Sequence, residues 1–339
     1  MTSAKSEHLK AVQVPVAWHP GLPIYASESF LKTVGDEYGW LGHEQNGRLR
    51  CVLPYTILRK AGVRFVRFRV ETIPLQPDFD EHEERNFLNG CVDYFRNTGA
   101  GLVLPGSNAA IFRTYPDGAV VAPYGTFIKD LRQPEATLFD EIHADYRKKI
   151  RSAGRAGVEI KSGSEYLGLS YDIVADTLRR SGGDVIKGHE DFRKSILSLG
   201  TNVKIFVAEH QGKAQACLLT AFSQYCAYTF YGGSISDPVK GAMHMLHWEA
   251  MRQLKDMGVE RFNFQGVRIH PEAGSKQEGI FTFKKRFGGR FVEGYTWKCA
   301  LQPLKWAAYS MAVRLFKGGD IIDRERHKLG AHEAQSISQ

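Results

Sequence analysis

The feature that most constrains this chain is a short pattern that occurs twice. Residues 44–48 read Glu-Gln-Asn-Gly-Arg, and residues 209–213 read Glu-His-Gln-Gly-Lys, so each copy has Glu three residues before Gly and a basic residue after it. Asn-Gly and Gln-Gly between strand-like runs are typical of tight hairpin turns. The two copies lie about half the chain apart, which predicts two similar halves.

The elements predicted after each turn also follow the same order. Gly47 precedes strand candidates at 49–58 and 63–70, a helix at 81–96 and a short strand at 101–104. Gly212 precedes strands at 214–222 and 226–231, a helix at 241–257, a strand at 261–264 and a basic helix at 275–287. This order predicts an α/β fold of two tandem domains, 1–133 and 134–300, followed by a C-terminal helix and a mobile polar tail over 301–339. The alternative is coincidence, because hairpins that contain Gly are common.

A long helix is predicted to join the halves at 135–156, since Phe139, Ile142, Tyr146, Ile150 and Ala153 form one apolar stripe. Gly157 is placed to end it before a strand at 158–161. Residues 323–339 are polar and poor in apolar side chains, which favours a mobile tail.

Composition limits the functions to consider. The five cysteines are scattered and lack Cys-x-x-Cys spacing, so we expect neither a zinc site nor a disulfide framework. The polar start and the lack of a long apolar run predict a cytoplasmic protein. The formal net charge of +8 favours anionic partners, although a basic protein kept soluble by its charge fits equally well.

The predicted linking helix carries a cationic face. Arg147, Arg151 and Arg155 are spaced four apart and therefore stack on one side, flanked by Lys148 and Lys149. Arginine forks suit phosphate oxygens, so this face is a candidate for binding a phosphorylated substrate or an RNA backbone. A solvated basic surface would give the same pattern.

A second cationic stretch lies at 281–290, where Lys284, Lys285, Arg286 and Arg290 alternate with aromatic residues. A lysine held against an apolar wall is poorly hydrated and can stabilise a developing oxyanion. The alternative interpretation is a helix end whose cations offset the negative pole of the helix.

These stretches resemble the Fem-type peptidoglycan aminoacyltransferases (FemA, FemB, FemX) and related acetyltransferase-like proteins. The likeness is carried by residues 146–160 and by the run from Tyr231-Gly232-Gly233 through 246–250 to 279–289. It implies two tandem acetyltransferase-like domains. It also implies transfer of an amino acid from aminoacyl-tRNA to an amine of a phosphorylated cell-wall precursor.

The resemblance also implies roles for single residues. Phe283-Lys284 matches a Phe-Lys pair near the reacting centre, with Lys284 stabilising the oxyanion. Arg147, or Arg151 in its place, would contact phosphates of the precursor. Tyr231 and Gln265 would line the cleft.

A coenzyme A site is weakly indicated. In acetyltransferase folds the pyrophosphate sits on amides at the start of the helix equivalent to 241–257. The usual Arg or Gln followed by spaced glycines is replaced here by Lys240-Gly241-Ala242, a poor match. His244 and His247 on the same helix are interpreted as packing residues, because no third metal ligand is evident.

Three hypotheses follow. The first is an acyltransferase that moves an aminoacyl or acyl group onto an amine of an anionic cell-envelope precursor, of peptidoglycan or polysaccharide type. The second is an acyl-coenzyme A N-acyltransferase that acts on an amino sugar. The third is a non-catalytic protein that binds RNA or an anionic membrane surface, the membrane contact being made by residues 304–316.

Overall fold

A computed structural model describes residues 9–182, 188–317 and 319–336 of the chain. The strands are β1 (Val12–Val14), β2 (Glu37–Gln45), β3 (Arg48–Lys60), β4 (Val63–Phe68), β5 (Ile73–Pro74), β6 (Leu102–Val103), β7 (Val120–Asp130), β8 (Glu159–Ser162), β9 (Val203–His210), β10 (Lys213–Phe222), β11 (Ala227–Ser234), β12 (Arg261–Val267) and β13 (Arg290–Ala300). The α-helices are α1 (Glu28–Val34), α2 (Glu81–Asn97), α3 (Glu135–Asp140), α4 (Ala144–Arg155), α5 (Leu167–Arg180), α6 (His189–Leu197), α7 (Ala242–Asp256), α8 (Lys276–Lys285), α9 (Pro303–Lys317) and α10 (Ile321–Ser336).

The strands form one continuous mixed sheet in the order β1-β2-β3-β4-β6-β13-β7-β12-β11-β10-β9-β8, with β5 beside β3. The repeat predicted from the sequence is visible in its pairing. In the first half β4 runs parallel to β6, and in the second half β11 runs parallel to β12. Each parallel pair is joined by a helix, α2 or α7, which supplies the crossover that parallel strands require.

Both predicted hairpin turns are present. Asn46 and Gly47 have φ of 52° and 73°, and Gln211 and Gly212 have φ of 51° and 73°. Two successive left-handed residues match the twist of the flanking strands, and this geometry explains why Gly occupies the second position of both turns.

The halves exchange strands across the predicted boundary at residue 133. β13, at the end of the second half, pairs with β6 of the first half at Cys299–Val103 and Ala300–Leu102. β7, at the end of the first half, pairs along its length with β13 and also with β12. The boundary positions stay a prediction, but the two units share strands and are not separate along the sheet.

A buried cluster also spans the halves. It contains Tyr25 and Trp40 from the first half together with Tyr228 and Leu199 from the second. The rings of Tyr25 and Tyr228 lie 4.6 Å apart. Burial of apolar surface on both sides of the junction holds the two halves in one arrangement.

The long helix predicted at 135–156 is wrong in one respect, because the structure breaks it into α3 and α4. His143 leaves helical geometry with ψ of 138°, and its Nδ1 accepts from the Asp145 backbone N–H. Just before the break, the Glu141 carboxylate binds the buried Lys129 ammonium at 2.8 Å. The apolar stripe keeps its spacing through the break, so periodicity alone gave no sign of it.

The polar tail predicted from residue 323 also needs correction, because α10 continues through it to Ser336. Ile322 is fully buried, and the Lys298 ammonium binds the carboxylates of Asp320 and Asp323 at 2.7 Å and 2.5 Å. These ion pairs to β13 fix the start of α10, although its polar composition predicts a mobile, solvent-exposed segment. The final part of the predicted tail, 337–339, lies outside the described residues.

The C-terminal helix predicted at 304–316 is present as α9. Its Tyr309 ring packs 5.4 Å from Phe65, whereas Leu304 and Met311 are exposed. Contact of this helix with a membrane surface stays a prediction. Over the described residues, we find no helix whose length and apolar character suffice to cross a bilayer.

Candidate functional site

The candidate site is a gap between two strands of the second half. β11 and β12 pair only at Ala227–Phe262 and Tyr228–Asn263. Beyond this point β12 stays paired with β7 but contains an irregular stretch, Phe264 and Gln265, and β11 carries an extra residue, Phe230, opposite β10. Such bulges bend their strands and increase the local twist, so the two strands diverge.

The divergence opens a cavity of about 530 Å³. α7 lines one side and α8 covers another. The lining residues are Asn108, Leu218, Thr229, Phe230, Tyr231, Gly232, Met243, His247, Phe264, Gln265, Gly266, Lys276, Gly279, Ile280, Phe283 and Lys284. The residues from α8 follow the spacing i, i+3, i+4, i+7, i+8, so one face of this helix forms the cover.

The backbone bulge in β12 is built by Asn263. Its side-chain oxygen accepts from the Gln265 backbone N–H at 2.7 Å and from the Thr126 hydroxyl at 2.7 Å. These contacts hold Gln265 in the left-handed region with φ of 60°, which is uncommon for a residue other than glycine. The carbonyls of Gln265 and Gly266, at this bulge, are within reach of α8.

Both of these carbonyls bind Lys284. The Lys284 Nζ donates to the Gln265 carbonyl at 3.0 Å and to the Gly266 carbonyl at 3.1 Å. An ammonium has three donors, so one N–H remains for a ligand in the cavity. The charge is held by neutral carbonyl oxygens and not by a carboxylate.

Burial lowers the pKa of Lys284 from its ordinary value of 10.5 to about 7. Desolvation penalises the charged form, and the two carbonyl dipoles do not replace the lost water. Lys284 is therefore a poorly compensated cation beside an open cavity. An anionic oxygen placed there would supply the missing counter-charge.

His247 lines the same cavity from α7. Its Nδ1 lies 2.9 Å from the Met243 carbonyl, and its ring stacks on Phe264 with centroids 6.2 Å apart. Burial, followed by the positive charge of Lys284, lowers the pKa of His247 to about 4, partly offset by the bond to Met243. The sequence interpretation of His247 as a packing residue is consistent with its burial but missed its place on the cavity wall.

Three further residues singled out by the sequence line the cavity with Lys284. Phe283 packs its ring 5.1 Å from that of His247. Tyr231 stands on β11, and burial raises the pKa of its hydroxyl. The Gln265 amide donates to the Tyr25 hydroxyl at 2.8 Å, which connects the cavity to the first half.

The predicted phosphate-binding arginines lie elsewhere. Arg147 donates to the Asp140 carbonyl at 2.7 Å and pairs with its carboxylate at 3.1 Å. Arg151 is exposed on α4, and its guanidinium lies 5.1 Å from the centre of the Phe139 ring. Neither arginine lines the cavity, whereas the ring of Tyr146 on the same helix packs 5.9 Å from that of Phe283.

Lys240 and Gly241 precede α7 and also lie outside the cavity lining. Gly241 has φ of 93°, and a Cβ built there would lie 2.4 Å from the Lys149 carbonyl oxygen. The backbone of α4 thus rests directly on this turn. His244 sits one helical turn before His247, with Tyr146 at 4.3 Å and Phe283 at 5.5 Å between ring centres. Across the described ranges, no three metal-ligating side chains come together.

Residues 201–314 match the FemAB family model. This segment contains β9 to β13, both helices that line the cavity, and Lys284. The match confirms the resemblance predicted from the sequence, and with it the predicted class of enzyme, an acyltransferase. The chain matches none of the curated proteins.

The structural comparisons extend over most of the chain. The crystal structure of FemX covers 88% of this chain and 99% of its own length, with 12% identity and a TM-score of 0.66. The match to a conserved protein of unknown function from Bacteroides thetaiotaomicron VPI-5482 covers 85% of this chain and 93% of that protein, with 10% identity and a TM-score of 0.50. The match to a tandem GNAT protein from the clavulanic acid biosynthesis pathway covers 79% of this chain and 84% of that protein, with 11% identity and a TM-score of 0.46. The likeness to FemX confirms the predicted tandem α/β fold.

Proposed function

We propose that this chain transfers an aminoacyl group from an ester donor to an amine of an anionic cell-envelope precursor. The observation that carries the proposal is Lys284, a desolvated ammonium held by two carbonyls at the wall of a 530 Å³ cavity. When an amine attacks an acyl carbonyl, negative charge develops on oxygen. The third N–H of Lys284 is available to receive that oxygen.

The environment of Lys284 favours the transition state over the ground state. Before reaction, the ammonium lacks a counter-charge and is destabilised by burial. The oxyanion appears only as the tetrahedral intermediate forms, so the attraction is gained where it lowers the barrier. Lys276, which also lines the cavity, adds positive charge that disfavours the ammonium form of the acceptor and favours its nucleophilic neutral amine.

The choice of an ester donor over acyl-coenzyme A rests on the turn at Gly241. A pyrophosphate at the start of α7 would need open space beside this turn, and the backbone of α4 already contacts it. The exposed basic face of α4, with Arg151 and Lys148, instead suits a longer polyanion such as the tRNA of an aminoacyl-tRNA. The predicted cytoplasmic location is kept as part of this proposal.

The test is a transfer assay with two donors and one acceptor. The acceptor is a UDP-linked muramyl peptide that carries a free lysine amine, and the donors are aminoacyl-tRNA and acetyl-coenzyme A. We expect amide product from aminoacyl-tRNA, at a rate that falls as salt is raised, and at most about 1% of that rate from acetyl-coenzyme A. Product from acetyl-coenzyme A alone would reject the ester donor, and no product from either would reject the proposal.

A further inference from the structure

His247 is a buried histidine whose two ring nitrogens have different surroundings. The Nδ1 lies 2.9 Å from the Met243 carbonyl oxygen, which can only accept a hydrogen bond. The proton of the neutral ring must therefore reside on Nδ1. This leaves Nε2 with a lone pair, on a ring that lines the cavity beside Lys284.

The ring is held rigidly in this orientation. Phe264 stacks on it, while Phe283 and Phe287 pack against it with ring centres 5.1 Å and 5.4 Å away. The bond from Nδ1 to the carbonyl four residues earlier on α7 fixes the remaining rotation. A group locked this way keeps its lone pair aimed at one place before any substrate arrives.

The polar groups around it do not duplicate this role. The Lys284 Nζ is committed to the carbonyls of Gln265 and Gly266 and to the developing oxyanion, and the Lys276 ammonium binds the Ser181 carbonyl at 3.2 Å. The Gln265 amide donates to Tyr25, and the raised pKa of Tyr231, caused by burial, keeps its hydroxyl protonated. His247 supplies a neutral nitrogen base on the same wall.

We infer that His247 is a catalytic residue whose Nε2 accepts the proton of the attacking amine. The inference rests on the proposed function, because it names the base of that reaction. As the amine nitrogen forms its bond to the acyl carbon, the carbonyl electrons move to oxygen, which Lys284 receives. The amine proton passes to Nε2. When the intermediate collapses, the ester C–O bond breaks and the same proton passes to the leaving oxygen, so no further reactant is needed.

His247 is neutral at the pH of the reaction, so its Nε2 lone pair is free to accept a proton. Burial and the nearby Lys284 charge keep the pKa near 4, so the imidazolium is formed only briefly and gives up its proton readily. The ammonium of the tetrahedral intermediate is more acidic than the ammonium of the free acceptor, which narrows the difference in pKa to Nε2.

The first arm of the experiment measures transfer. His247→Phe keeps the aromatic packing and removes the lone pair, so we expect kcat to fall about 100-fold with the KM for the donor within about twofold. The matched control is His244→Phe, because His244 belongs to the same aromatic cluster but lies off the cavity; its kcat should stay within about threefold. Equal rates for His247→Phe and the parent would overturn the role of His247 and leave the proposed function standing.

The second arm does not depend on transfer. In ¹⁵N spectra of the histidine rings, the signal lost in His247→Phe identifies Nε2 of His247. We expect it to be unprotonated and to move when glycinamide, a small primary amine, is added at pH 8. A protonated Nε2, or no movement, would overturn the inference. If glycinamide shifts the Nε2 signal but the parent protein shows no transfer, the proposed function is rejected, while binding of an amine beside His247 is still supported.

Discussion

Lys284→Met should lower the rate of acyl transfer by about 100- to 1000-fold, because it removes the donor that receives the developing oxyanion. Donor binding should change little, since the attraction arises mainly after attack. Met is of similar length and suits the apolar neighbours Met243, Ile280 and Phe283. Single-turnover assays at saturating donor measure the effect on chemistry directly.

Lys285→Met is the matched control, since Lys285 is the next residue on α8 and is exposed. It removes the same charge from the same helix but should leave the rate within about twofold. Undiminished transfer by Lys284→Met would reject its assignment to the oxyanion. An equal loss in both variants would show that net charge near α8 matters and that the position of Lys284 does not.

Lys284→Met should also change how the stability of the protein depends on pH. The pKa of Lys284 is lowered from 10.5 to about 7 by burial, so between these pH values the unfolded chain holds a proton that the folded chain does not. The contribution of Lys284 to the free energy of unfolding of the parent protein therefore rises with pH across that window. Lys284→Met lacks this dependence and should gain stability relative to the parent as the pH falls from about 10 to 7.

Trp297→Ala should lower the free energy of unfolding by about 3–5 kcal/mol, the largest stability effect we expect from one substitution. Trp297 is 1% exposed on the exchanged strand β13, and its ring lies 5.4 Å from both Phe68 and Phe112 of the first half. It pairs across the sheet with Val121 of β7. The loss should therefore appear in a single unfolding transition that both halves share.

Trp297→Phe separates packing from hydrogen bonding. The indole N–H of Trp297 is buried and has no hydrogen-bond partner within the described part of the chain. Phe removes this unsatisfied donor while it keeps an aromatic ring, so the two effects partly cancel and the cost should stay below about 1.5 kcal/mol. Chemical denaturation measures both variants. Two separate transitions, of which Trp297→Ala moves one, would contradict the shared-strand architecture.

The sequence predicted elements whose pattern is local. The turns at Gly47 and Gly212 and the helices at 81–96 and 241–257 are predictable because each depends on residues close in the chain. The break at His143 was not visible, since it is stabilised by Lys129, a residue on another element that reaches Glu141. The first turns of α10 were missed for the same reason, because Lys298 of β13 supplies their binding partner.

The candidate site was predicted in part. The resemblance implies roles for Lys284, Phe283, Tyr231 and Gln265, and the structure brings all four to one cavity. Arg147 and Arg151, to which the resemblance assigns contacts with phosphates, do not line that cavity. The sequence indicates a packing role for His247, because a helix position that faces a core and one that faces a cavity have the same pattern. The divergence of β11 and β12, which decides between the two, depends on long-range pairing.

The central claim is that the cavity beside Lys284 binds the reacting groups, and competitive acylation of lysines tests it most directly. The chain is labelled with a small amine-reactive ester over a range of pH, with and without aminoacyl-tRNA and acceptor, and each lysine is quantified by mass spectrometry. We predict that labelling of Lys284 rises around pH 7, because burial lowers its pKa to about 7, and that bound substrates protect it while Lys285 stays unprotected. Labelling of Lys284 that begins only near pH 10, or that bound substrates leave unchanged, would contradict the account.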